Sequence, residues 1–333
     1  MEKRESGIDL FRCMGMLFVC GLHGFLYNGF YNEAQNGFPM WIADVFRWLF
    51  YGCNGMFMVL TGYLKSTKPL GRSYYKGLIT VLVGYALTCV ISYPIRYFLL
   101  GEEGALIDWV DRLFSFSNYA WYVKMYVGLI LISPVINLAM ERLREPKELL
   151  WLLGTMLTMT ALPSLTSAPV LPDYWVGIYP LTYYVIGGVI RRLRPEVPVW
   201  KGLLGAGATA IVMGTASMIS TDGGTFSDGF AQGGNGGFLT TLLVSLLFLG
   251  VYRVEAGPKF RRVLAWLSSG VLEGFLLSRL LDVWVYNAVS FWHTPENYWL
   301  IFICVTVPVF LISITAGHYV HKLAVGLTKK ILA

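Results

Sequence analysis

Ten apolar stretches divide the chain, at roughly 8–30, 41–64, 74–100, 119–139, 148–168, 174–190, 202–220, 237–252, 263–288 and 298–320. The breaks between them, such as 65–71 and 191–198, are rich in Gly, Pro and charge. A helix crosses the hydrocarbon core of a bilayer in about 20 mostly apolar residues. The expected fold is therefore all-α, a polytopic membrane bundle of ten transmembrane helices. Composition points the same way. Of 333 residues 56% are hydrophobic and 14% charged, whereas a soluble domain carries about 25% charged residues. That little polarity cannot cover a soluble enzyme of this length, and it equally excludes a disulfide-stapled secreted module and a disordered chain. Cys13, Cys20, Cys53, Cys89 and Cys304 fall within apolar stretches without paired spacing, so no metal site or disulfide framework is readable.

The basic residues set an orientation. Twenty of the 26 Lys and Arg residues fall at the N-terminus, in the even-numbered breaks (with Lys76 at the edge of one) and at the C-terminus; the odd-numbered breaks hold only Arg112. The positive-inside rule then places both termini in the cytoplasm. The formal net charge of +6 is spread over these breaks rather than clustered on one soluble surface, which speaks against nucleic acid as a partner. The first 30 residues imitate a secretory signal, but Asp9 and Arg12 interrupt the apolar run and no small-x-small cleavage site follows. They are read as a retained first helix. No 20–50-residue repeat is visible, and residues 1–333 are expected to form a single integral-membrane domain without an appended soluble one. The longest polar stretch, 221–237, is Gly-rich and reads as an outer loop.

Ionisable residues inside a bilayer are costly, so each is by default a functional candidate. Here they are Asp9, Arg12, His23, Asp44, Arg47, Arg96, Lys124, Glu273, Arg279 and Asp282. Asp9 and Arg12 are neighbours on one helix face at i,i+3. His23 follows Arg12 by eleven residues, close to three turns and about 16 Å of rise, so the two share a face along the membrane normal. Asp44 with Arg47, and Arg279 with Asp282, are further i,i+3 pairs toward the outer half. A histidine above a cation and below a polar outer vestibule suits a reaction whose donor and acceptor arrive from opposite sides. The bland readings are packing for the histidine, mutual neutralisation for the i,i+3 pairs, and snorkelling for Arg96 and Lys124.

Five ordered blocks resemble a known family. Arg12, ten residues and His23 are similar to the first-helix signature of the membrane-bound acyltransferase family 3, integral-membrane O-acyltransferases of surface glycans. The run from Asn54 to Tyr63 (NGMFMVLTGY), that from Trp121 to Asn137, that from Pro172 to Gly187 and that from Phe275 to Asp282 resemble further family blocks in the same order. Where the family commonly carries Arg-x-x-Arg at the start of the third span, this chain has Gly77 and Thr80.

The resemblance implies transfer of an acyl group, usually acetyl, from cytoplasmic acyl-CoA to a hydroxyl of an extracytoplasmic glycan or related polyol, at a cell membrane and in a bacterium. His23 would act as general base or as acyl-carrying nucleophile. Arg12 would hold or polarise the donor, and Asp9 would orient Arg12. Lys65, Lys68, Arg72 and Lys76 would edge the donor cleft, the last two standing in for the missing arginine pair. The acceptor would enter beside Arg47, Trp121, Tyr122, Lys124, Trp175, Ser278, Arg279 and Asp282. Acyl-CoA (acetyl-CoA) is expected as donor substrate, with no metal; membrane lipids and the glycan acceptor are the other expected partners, and oligomeric state is not legible. The competing expectations are a carrier or flippase for a small solute or lipid-linked sugar, using the same charges as a relay, and a family member that has lost catalysis.

Overall fold

A computed structural model describes residues 5–101, 107, 108, 110, 120–166, 171–228, 234–292 and 294–332, among which every regular element is helical. In chain order the principal helices are α1 (Ser6–Tyr27), α2 (Gly37–Tyr51), α3 (Cys53–Lys65), α4 (Arg72–Pro94), α5 (Trp121–Arg142), α6 (Pro146–Thr160), α7 (Tyr179–Leu193), α8 (Val199–Thr221), α9 (Phe238–Val251), α10 (Pro258–Ser269), α11 (Val271–Ala288) and α12 (Val307–Ile331). α4 runs on through a π-turn at Ile95–Leu99, and α12 is preceded by a helical turn and a π-turn that carry it back to Tyr298.

Among the described residues five helical runs are long and apolar enough to cross a membrane: Ser6–Tyr27, Tyr74–Phe98, Trp121–Arg142, Val199–Thr221 and Tyr298–Ile331. The pair α10–α11 makes a sixth if counted as one bent span. The other expected stretches are helical but shorter. α6, α7 and α9 have 15, 15 and 14 residues, a rise of about 21–23 Å against a hydrocarbon core of about 30 Å. The stretch 41–64 is two helices meeting at Gly52, where a side chain would press within 3.2 Å of Val244.

The stretch 263–288 also departs from a single straight span. It bends by 65° between α10 and α11. The break is at Gly270, and its cause is a close approach to the far end of the chain: a Cβ at Gly270 would collide with the backbone of Gly317 and His318 on α12. Gly274 lies one turn on, a G-x-x-x-G spacing that lets the two backbones touch, as small residues do at helix contacts in membranes. The same device locks α3 to α7, where Cβ atoms at Gly62 and Gly187 would collide with the backbone of Tyr184 and Val59.

α1 occupies the middle of the bundle, packing against α2, α3, α9, α10, α11 and α12. Its N-terminus is pinned independently of its charged residues. Ser6 Oγ donates to Val254 O at 2.9 Å and accepts from the Ala256 amide at 2.8 Å.

Candidate functional site

α1 is unbroken from Ser6 to Tyr27, so Asp9, Arg12 and His23 ride on one rod. Near its C-terminal end, His23 Nδ1 lies 2.7 Å from Asp282 Oδ2 on α11. The Asp282 side chain is wholly buried, and Ser278 Oγ, one turn earlier, donates to the same oxygen at 2.9 Å. A carboxylate facing Nδ1 fixes the ring tautomer: Nδ1 keeps its proton and Nε2 holds the lone pair. The His23 side chain retains 13% of its surface, so the ring is not sealed. Arg279 joins this end of the bundle by donating to Tyr27 Oη at 3.4 Å, with the Tyr27 ring 5.9 Å from the imidazole.

Three turns earlier stands a second polar group. Ser268 Oγ, the last turn of α10, donates to Asp9 Oδ1 at 2.6 Å, and Arg12 Nη1 lies 3.9 Å from that oxygen. The bend at Gly270 explains how one stretch of chain serves both groups. Ser268 before it reaches Asp9, and Ser278 and Asp282 after it reach His23.

A cavity of about 980 Å³ opens between α1, α3, α4, α11 and α12. Asp9 and Arg12 line it, with Glu5, Lys65, Lys68 and Arg191 at its basic end and Val19, Phe57, Tyr122 and Phe275 at the other. His23 is not part of this lining; Val19 lies one helical turn short of it, about 5–6 Å along α1. A further pair lines the cavity, His321 Nδ1 at 2.9 Å from the buried Glu273 Oε1.

Of the residues read as donor-binding, Lys65 and Lys68 line the cavity. Lys76 is exposed on α4 and outside the lining, and the side chain of Arg72 lies outside the described residues. Gly77 and Thr80, the positions lacking arginine, do form the wall. A Cβ at Gly77 would lie 3.5 Å from Lys65 Nζ, so the ammonium of α3 projects into the space that a larger residue there would enter.

Of the residues read as acceptor-side, Ser278, Arg279 and Asp282 gather at His23, and Tyr122 is buried in the cavity wall. Trp121, Lys124 and Trp175 are exposed, Trp121 beside Tyr122 and Trp175 beside Tyr174. No described contact joins these three to His23. Arg47 is buried in an aromatic box, its guanidinium carbon 3.9 Å from the ring centre of Trp48, 4.3 Å from Phe226 and 4.6 Å from Tyr51. Its Nε donates to Tyr31 Oη at 3.1 Å, and its Nη2 is 3.9 Å from Asp228. The expected pairing with Asp44 is not made; both Asp44 carboxylate oxygens are buried with no hydrogen-bond partner among the described residues. Attraction to ring faces, worth about 0.5–2 kcal/mol each when desolvated, draws Arg47 the other way.

Three lining residues with acidic or basic side chains, His321, Arg191 and Glu5, were not singled out from the sequence. His321 lies just beyond the 298–320 stretch, because α12 continues to Ile331. Arg191 reads as one more positive-inside charge, and Glu5 as a solvated residue before the first helix. Only His321 carried a usable signal, a histidine in phase with a helix that does not stop where its hydropathy falls.

The family model described as an acyltransferase domain, of acyltransferase family 3, matches residues 5–318. No curated protein and no solved structure matches the chain.

Proposed function

The chain belongs to acyltransferase family 3 and is in general terms a membrane acyltransferase, and from that premise we propose that it moves an acyl group, acetyl in the simplest case, from acyl-CoA to a hydroxyl of an extracytoplasmic glycan or related polyol. In this reading the chain crosses the plasma membrane of a bacterium ten times with both termini in the cytoplasm, the shorter helices α3, α6, α7 and α9 included. The observation that carries the reading is the His23–Asp282–Ser278 group, set one turn beyond a cavity whose opposite end is basic.

The chemistry follows from the tautomer. Asp282 keeps the proton on Nδ1, so Nε2 acts on the reactants. As base, Nε2 takes the proton of the acceptor hydroxyl while its oxygen attacks the thioester carbonyl; the C–S bond breaks, and the departing thiolate takes the proton back. As nucleophile, Nε2 attacks the thioester carbonyl, the C–S bond breaks and the thiolate leaves; the acceptor hydroxyl then attacks the acyl-imidazolium, freeing Nε2 and giving its proton to the thiolate. Both routes build positive charge on the ring, which the buried Asp282 carboxylate stabilises. Arg12, fixed by Asp9, meets the donor from the basic end together with Lys65 and Lys68. Arg279 and Tyr122 flank the reacting groups. Arg47, Trp121, Lys124 and Trp175 are assigned to guiding the acceptor rather than to the chemistry.

Sealed vesicles of defined sidedness test this. With radiolabelled acetyl-CoA added outside, label should reach glycan in inside-out vesicles and not in right-side-out ones. Equal labelling in both would overturn the sidedness, and transfer without any thioester donor would overturn acyl-CoA as substrate.

A further inference from the structure

The basic end of the cavity contains more positive charge than it neutralises. Glu5 Oε1 accepts from Arg194 Nη2 at 2.8 Å and from Arg191 Nη1 at 3.4 Å, and Glu5 Oε2 accepts from Tyr63 Oη at 2.9 Å. The Arg191 guanidinium also lies over the Tyr63 ring, 5.1 Å from its centre. One carboxylate thus serves two guanidinium groups. Lys65 and Lys68 line the same end, and neither has an acidic partner among the described residues.

We propose that Glu5 is a resident stand-in for a phosphate of the donor: it holds Arg191 before the donor binds and yields it when a phosphorylated nucleotide binds across Arg191, Lys65 and Lys68. This rests on the acyl-CoA reading above and adds to it the residue that grips the phosphate and the group that competes for it. The pair is built to exchange. The Glu5 side chain is 34% exposed and that of Arg191 19%, and they meet at 3.4 Å, longer than the 2.8 Å Glu5–Arg194 contact, so the pair that must yield is the weaker of the two. A phosphate offers more charge and a bidentate match to a guanidinium, and outcompetes a single carboxylate. The start of α1 does not depend on the Glu5 carboxylate staying put, because Ser6 anchors it to the loop after α9. The cations needed where Gly77 and Thr80 leave the cavity wall without arginine then come from α3 and α7.

The full chain in lipid nanodiscs, titrated calorimetrically with free coenzyme A and with adenosine 3′,5′-bisphosphate, tests the proposal. Glu5→Gln should bind coenzyme A about two- to fivefold tighter than wild type, the equivalent of an exposed ion pair. Arg191→Gln should bind about tenfold weaker or worse. In the double variant the gain from Glu5→Gln should vanish, since the residue it releases is gone; Arg194→Gln should change binding little. Thermal unfolding of each variant separates binding from folding. If wild type binds coenzyme A but Glu5→Gln binds it equally or more weakly at an unchanged melting temperature, the stand-in role is overturned while acyl-CoA survives as donor. If the gain from Glu5→Gln persists without Arg191, the competition is not for that residue and the proposal also falls. Binding of coenzyme A by none of the proteins would remove both readings.

Discussion

His23 Nδ1 and Asp282 Oδ2 stand 2.7 Å apart although 259 residues separate them, and Asp282 is buried completely. This contact ties the first helix to the late bent segment and, in the proposed reaction, leaves Nε2 as the nitrogen that acts. Asp282→Asn preserves the shape but removes the charge that stabilises a cationic ring. The transfer rate is expected to fall about 10²–10⁴-fold. Ser278→Ala removes one hydrogen bond to the same oxygen and should cost about tenfold. Initial rates in membranes with matched expression compare the two; equal losses would contradict a charge-based role for Asp282.

Val19 separates the cavity from His23 by one turn of α1. In the proposed reaction the thioester passes Val19 to reach His23, so Val19→Phe should lower turnover at least tenfold while the affinity for coenzyme A, proposed to bind at the basic end, changes less than about twofold. Parallel measurement of turnover and coenzyme A binding checks this. A matching loss in both would place the donor's phosphates elsewhere.

Glu273 is buried in the cavity wall and His321 is its hydrogen-bonded partner. His321→Ala strands that carboxylate, and a buried acceptor left without its partner costs about 1–3 kcal/mol. Thermal unfolding in detergent should show the loss. Glu273→Met combined with His321→Leu should recover most of it, because an apolar pair leaves no charge to desolvate.

Gly187 meets Val59 and Tyr63 backbone at the α3–α7 contact. Gly187→Val forces the helices apart, and overpacking of this kind costs about 1–3 kcal/mol. The same substitution at Gly207, which faces open space, should leave the unfolding free energy within about 0.5 kcal/mol of wild type.

What could be seen in the sequence is local. The Arg12-to-His23 spacing and the Asp9–Arg12 step depend only on helical period, and α1 carries them as spaced. Apolar runs located most helices, with ends shifted by a few residues. Non-local contacts were hidden. The bend at Gly270 depends on Gly317, and the partner of His23 depends on how that bend swings α11 across α1. Arg47 shows how a local rule is overridden: Asp44 is the nearer charge along the chain, yet rings from α2 and Phe226 beyond α8 enclose the guanidinium. Glu5 and Arg191 look like ordinary surface charges until the fold brings them to the mouth of one cavity.

The most direct test of His23 as the reacting group uses radiolabelled acetyl-CoA with membranes that carry either wild type or His23→Ala at equal expression, supplied with acceptor glycan. Label should accumulate on glycan with wild type and fall to the level of membranes lacking the protein with His23→Ala, while coenzyme A binding persists in both. Equal label from the two proteins would contradict any part for His23 in the transfer.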